Sequence, residues 1–478
     1  ITTDVTTPEG SDPTDSTNVF IGSGNATSYH LNIETVTTSG DVRIKSRNSI
    51  YNVGDAVTNI TAGGTVILEA ANGTIGTELA PIFTDLTGAA STLTARANGN
   101  IYIYECTPAS TSACVANSTY SYLPGGTAGD LPIESVYSRT GNIYLKADGS
   151  IIDGLGTDFT KIFARFVYLT AGDGIGEDGD YLEVHTGFSA DYPTNGNLTA
   201  FALNDIYLAD ADGDMGIRVI RSYEGNVDLV AINSILDAVD LSDPYDPLSV
   251  DATNSVEGSW PRADIIANSI TLTATLGGIG TSANALDIDS AYFDAGMLTS
   301  TSGNLLNAYI IETDGDLTLN TVQTGDDRTA YITAPTGSIW NGRTDGHNVI
   351  GGRTKLFAAN HIGTSDRYLT SMVGYLEGTA TTGNIFIINT GDLTTGGITP
   401  GAPESVNAGG SAHITAHSPI FVSNNINAVD EIVLWSMDDS DTDTITFAEN
   451  MTLESSTAYI LLVAGDSITV NPTTVLTA

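Results

Sequence analysis

The chain has 478 residues, 51 of them Gly, and carries 57 Asp+Glu against 16 Lys+Arg, a formal charge of −41. Such a charge repels phosphate backbones and anionic bilayers, which excludes nucleic acid as a partner, and no run reaches the roughly 18 apolar residues of a membrane span. Gly, Asn and Asp tolerate tight corners while Ile, Val, Thr and Tyr fit pleated surfaces, so the composition suits many short strands joined by turns.

In chain order, residues 1–28 come first. This Thr-rich opening, beginning at Ile1 without Met, reads as an extended arm or linker of a processed product or of a segment of a longer polypeptide. From residue 29 to 478 alternation dominates. One phrase, a Gly plus a small polar residue followed by a strand, recurs as GDVRIKS from Gly40, GTVILEA from Gly64, GNIYIYE from Gly99, GNIYLKA from Gly141, GNVDLVA from Gly225, GDLTLNT from Gly315 and GNIFIIN from Gly383. Each is a corner and then a strand with one buried face. The pattern predicts that Ile101, Ile103, Ile143, Leu145, Val167, Leu169, Ile206, Leu208, Leu272, Leu317, Leu319, Ile385 and Ile387 point inward.

A second phrase, an Ile-Gly turn between short strands, places glycines at 76, 176, 280 and 363. The steps define a super-repeat of about 100 residues, with segments of approximately 64–165, 166–268, 269–355 and 356–478. No single strand-turn unit can bury its apolar face, so neighbours must stack, which predicts an all-β, parallel β-solenoid with loop insertions. A turn of the stack should take about 20 to 25 residues. The rival is an array of β-sandwich modules, with Asn98-Gly99 as a hairpin turn. Against it stand the missing Cys…Trp…Cys spacing and the lack of a two-residue hairpin signal after most phrases.

Candidate sites are few. Cys106 and Cys114 flank CTPASTSAC, a turn-rich stretch in which a disulfide would close a projecting loop. Tyr102, Tyr104, Tyr144, Tyr207 and Phe386 occupy the outward slot of the Gly-Asn-Ile phrase and its variants. They form either an exposed aromatic stripe suited to sugars or lateral contacts, or a ladder that steadies the sheet. Asp210, Asp212 and Asp214 alternate along a turn and offer hard oxygen ligands for a structural Ca²⁺, the alternative being a solvated acidic turn. The segment departs from an EF-hand loop, with Met215 at the glycine position and Arg221 where the bidentate Glu belongs. His413 and His417 alternate along a strand, too far apart for one metal. The Asp-rich tracts lie in Gly/Thr/Ser-rich turns and do not pair as glycoside chemistry requires, so no catalytic residue is expected.

The phrases ITLTATLGGIGTSANALDIDS and IYLKADGSIIDG resemble the repeats of the filamentous-haemagglutinin type of large secreted bacterial adhesins and exoproteins. The resemblance covers residues 40 to 470 as a pattern. It implies a right-handed parallel β-helix, export to the cell surface, and adhesion, biofilm or filament formation. The Asn-Pro-Asn of that family's secretion module has no counterpart, the sole Asn-Pro being Asn471-Pro472. The expected function is therefore an extracellular, cell-surface adhesin or filament subunit, joined head to tail with copies of itself and touching cell-surface glycans. The alternative is a polysaccharide-binding or polysaccharide-degrading β-helix.

Overall fold

Alternation of Ile, Leu, Val and Ala with polar residues, interrupted every few positions by Gly, Asn, Asp or Ser, leaves each strand half apolar and too short to fold alone. The computed structural model describes residues 18–22, 30–53, 58–106, 129–187, 196–238, 263–290, 297–303, 306–437 and 442–478. Among these there are strands and turns but no helix, and every pairing between strands is parallel. The chain is a β-solenoid in two compact units, Ile1–Ile232 and Asn233–Ala478.

In the first unit one sheet stacks Val19, Val42, Val66 and Leu93 directly over one another. A second stacks Ile82, Ile103, Leu145, Leu169 and Ala200. In the second unit the corresponding ladders run Leu369, Ile387, Ile414, Leu434 and Leu462 in one sheet, and Leu286, Ile310, Ile332 and Leu356 in the other. All thirteen residues expected to point inward are buried. Successive rungs are 24 residues apart from Val42 to Val66 and 22 from Ile310 to Ile332. The step from Ile101 to Ile143 is 42, because residues 107–128 intervene.

At several corners a polar side chain has a definite task. Asp41 Oδ1 accepts the backbone N–H of Thr65 at 2.8 Å, Asn100 Oδ1 that of Asn142 at 2.9 Å, and Asp205 Oδ1 that of Asn226 at 2.7 Å. In the second unit Asp316 does the same for Ser338 and Asn384 for Ser411. At these corners one rung thus caps a backbone donor of the next, which a bare corner would leave unpaired.

Two expectations are corrected. Asn98-Gly99 is not a hairpin: Leu93–Ala97 and Ile101–Glu105 lie in different sheets, each paired in parallel with strands of other rungs. The three-residue link, Asn98 to Asn100, is a solenoid corner, so the sandwich reading fails. The segment 1–28 is not wholly an arm, because Val19–Gly22 is a strand whose Val19 and Ile21 continue the ladder of Val42 and Ile44. Residues 1–17 and 23–29 lie outside the described residues.

Candidate functional site

The five aromatic residues do not make one exposed stripe. Tyr102 and Phe386 are buried, Tyr104, Tyr144 and Tyr207 are half-buried, and the set is divided between sheets. Tyr102, Tyr144 and Tyr168 stack face to face at 4.4 and 4.5 Å between ring centroids. Tyr207 meets Tyr181 edge-on, and Phe386 sits between Tyr368 and His413. The in-register parallel sheet brings like residues to one rung spacing, so rings pack on rings and cover each other. These are ladders that steady the sheet.

The acidic turn is likewise built for its own backbone. Asp210 is buried, and its Oδ1 accepts the N–H of Asp212 at 3.0 Å and of Gly213 at 2.9 Å while pairing with His185 Nδ1 at 3.1 Å. Asp212 takes the hydroxyl of Thr160 at 2.6 Å. Asp210, Asp212 and Asp214 are not brought together: among the described residues no group of three or more His, Cys, Asp or Glu side chains is placed to hold a metal ion. Cys106 is disulfide-bonded, and Cys114 lies outside the described residues. His413 contacts Tyr368 and Glu431 and is part of the side-chain packing of its sheet.

Two clusters that sequence reading passed over are prominent in the first unit. In one, Lys161 is buried with its ammonium 2.8 Å from Asp153 and 3.1 Å from Glu183, and it also donates to the carbonyls of Thr157 and Phe159. With every proton of the ammonium met, the cluster pins the 154–161 excursion to the next rung.

The other is a cationic face. Arg43, Lys45, Arg47, Arg96 and Arg139 are exposed, five of the 16 cationic side chains of the chain. The parallel register gathers them. Lys45, Glu69, Arg96 and Tyr137 occupy equivalent outward positions on four successive rungs. Glu69 is the carboxylate at the centre, 3.3 Å from Arg43 Nη2 and 3.4 Å from Lys45 Nζ. Burial works to raise its carboxyl, but the hydrogen bond and charge of Arg43 and the charge of Lys45 outweigh it and hold the group below its ordinary value. Lys45, Glu69, Arg96, Tyr137 and Arg139, with the exposed Ala71, line an open cleft of about 250 Å³. Arg43, Lys45 and Arg47 alternate visibly with Val42, Ile44 and Ser46, but Arg96 and Arg139 join them only through the rung register, and residues 107–128 intervene before Arg139.

Among the described residues no helix is long and apolar enough to cross a membrane. No family model, curated protein or solved structure matches the chain.

Proposed function

We propose that the chain is the body of an extracellular structural or adhesive solenoid, a cell-surface adhesin or filament component that works by presenting rigid sheet faces. The observation that carries the reading is the cationic face, Arg43, Lys45 and Arg47 on one rung with Arg96 and Arg139 two and three rungs on, in a chain whose net charge is −41. A sheet with both edges of each rung paired holds these groups at fixed spacing, which favours recognition of an extended, repeating partner. The disulfide at Cys106 suits an oxidising compartment outside the cytoplasm. Assembly through further rungs belongs to the same reading. Leu461, Val463, Ile468, Val475 and Leu476 are exposed on Ile460–Ala464, Ser467–Thr469 and Val475–Thr477. Strands of another rung, whichever polypeptide supplies them, would cover that apolar surface and extend the ladders.

Beads coated with the purified chain should adhere to polysaccharide films and to cell surfaces, and the supernatant should contain no cleaved sugar. Reproducible release of reducing ends or unsaturated sugars would sink the structural reading in favour of a polysaccharide-degrading β-helix. Inert beads would sink its adhesive half.

A further inference from the structure

We propose that the cleft between Lys45, Arg96, Tyr137 and Arg139 binds a carboxylated polysaccharide, a chain of uronate residues laid across the rungs. This rests on the adhesive reading above and names the ligand class of that face. Three features of the cleft select this chemistry. Its rim is cationic, and the arginines offer planar forks that match a carboxylate. Beside it the exposed Ala71 and the half-buried ring of Tyr137 give a small apolar surface on which the non-polar face of a pyranose can lie. Lys45 and Arg96 stand two rungs apart in one column with Glu69 between them, about 10 Å at the strand spacing, a distance comparable with two sugars of an extended chain, so alternate carboxylates can meet the two cations. Glu69 contributes an acceptor for hydroxyls from the middle of the cleft while Arg43 and Lys45 balance its charge.

A second copy of this acidic chain, which also exposes rings such as Trp435 and Tyr459, is the competing polyanion, and the titration below separates the two.

The test is calorimetric titration of the intact protein with oligogalacturonates and with neutral galactose oligomers of equal length, at low and high salt. Oligogalacturonate should bind, more weakly as salt rises, and the neutral oligomer should not. Lys45→Glu combined with Arg96→Glu should weaken binding by about tenfold or more. Both side chains are exposed, and an unchanged melting curve would certify the fold. Arg367→Glu, at an exposed position in the other unit, should bind as the parent does. Absence of oligogalacturonate binding, or equal binding by the double variant, would overturn the proposal. So would salt-sensitive self-association that the double variant loses while the glycan fails to bind, because it would assign the face to a second copy. Beads that adhere although oligogalacturonates do not bind would overturn this inference and leave the adhesive reading standing; loss of both would remove both.

Discussion

The carbonyl oxygen of Tyr102 lies 2.6 Å from where a β-carbon on Gly76 would stand, and the amide of Tyr102 donates to Ile75 at 2.8 Å. The same relationship joins Gly176 to Tyr207, Gly280 to Tyr309 and Gly363 to Phe386. At each site the glycine has φ between +60° and +67° and the aromatic residue's carbonyl crowds it. This is the structural content of the Ile-Gly super-repeat: a left-handed corner that admits no side chain, closed by the backbone of an aromatic residue on the following rung.

Gly76→Ala is expected to be strongly destabilising. The left-handed φ alone costs about 1 to 3 kcal/mol for a side chain, and overlap with the Tyr102 carbonyl adds to it. Gly315 has φ +77° but open space around it, so Gly315→Ala should cost only the conformational part. Denaturant midpoints of the two variants check this, and equal midpoints would refute the crowding argument.

Leu145 stands between Ile103 and Leu169 in a continuous ladder and is buried. Leu145→Asp places a charge there without a partner and should cost about 4 kcal/mol or more. A urea transition matching the parent protein's would refute the inward assignment.

Lys161→Ala leaves Asp153 and Glu183 facing each other without their cation, at an expected cost of about 3 to 5 kcal/mol. The triple variant Lys161→Met, Asp153→Asn, Glu183→Gln removes all three charges and should recover much of that loss. A triple variant no more stable than Lys161→Ala would show that the ion pairs are not what holds the 154–161 excursion.

Stability should fall as pH rises from about 5 to 9. Burial, only partly offset by bonds from Thr84 and Leu86, raises the Glu105 carboxyl from the usual 4.5 to about 8, and burial does the same to Glu312 despite its bonds from Ser290. Burial next to Asp237 raises Asp264 from 3.8 to about 9 and Asp287 to about 6. His185 is raised chiefly by its hydrogen bond to Asp210. For each of these the folded state binds its proton more tightly than the unfolded one. The contribution is therefore complete below the unfolded pKa and lost as pH climbs through the folded value. Glu69, at a partly solvated site, and Glu377, buried and bonded by Thr399 and Ile398, are held low and work in the opposite sense at acid pH. Melting temperatures across this range should decline toward pH 9, and Glu312→Gln, which cannot ionise, should flatten part of the decline. A flat profile in the parent would refute the buried-acid argument.

Local chemistry in the sequence was enough to determine the rung. Alternation selected the inward face, Gly-Asn and Gly-Asp marked corners whose amide or carboxylate caps the next rung, and the recurring Ile-Gly located a left-handed turn four times. These are short-range properties, set by side-chain size and backbone preference within a few residues. The register between rungs is different, because it is decided by stacking over distances of 18 to 44 residues that the insertions alter. Only that register turned Tyr102 and Tyr144 from candidate exposed rings into a face-to-face ladder, gave Asp210 to His185 and its own turn, and joined Lys161 to Glu183. It also set Lys45, Glu69, Arg96 and Tyr137 in one column, making a binding face from residues that no local pattern connects.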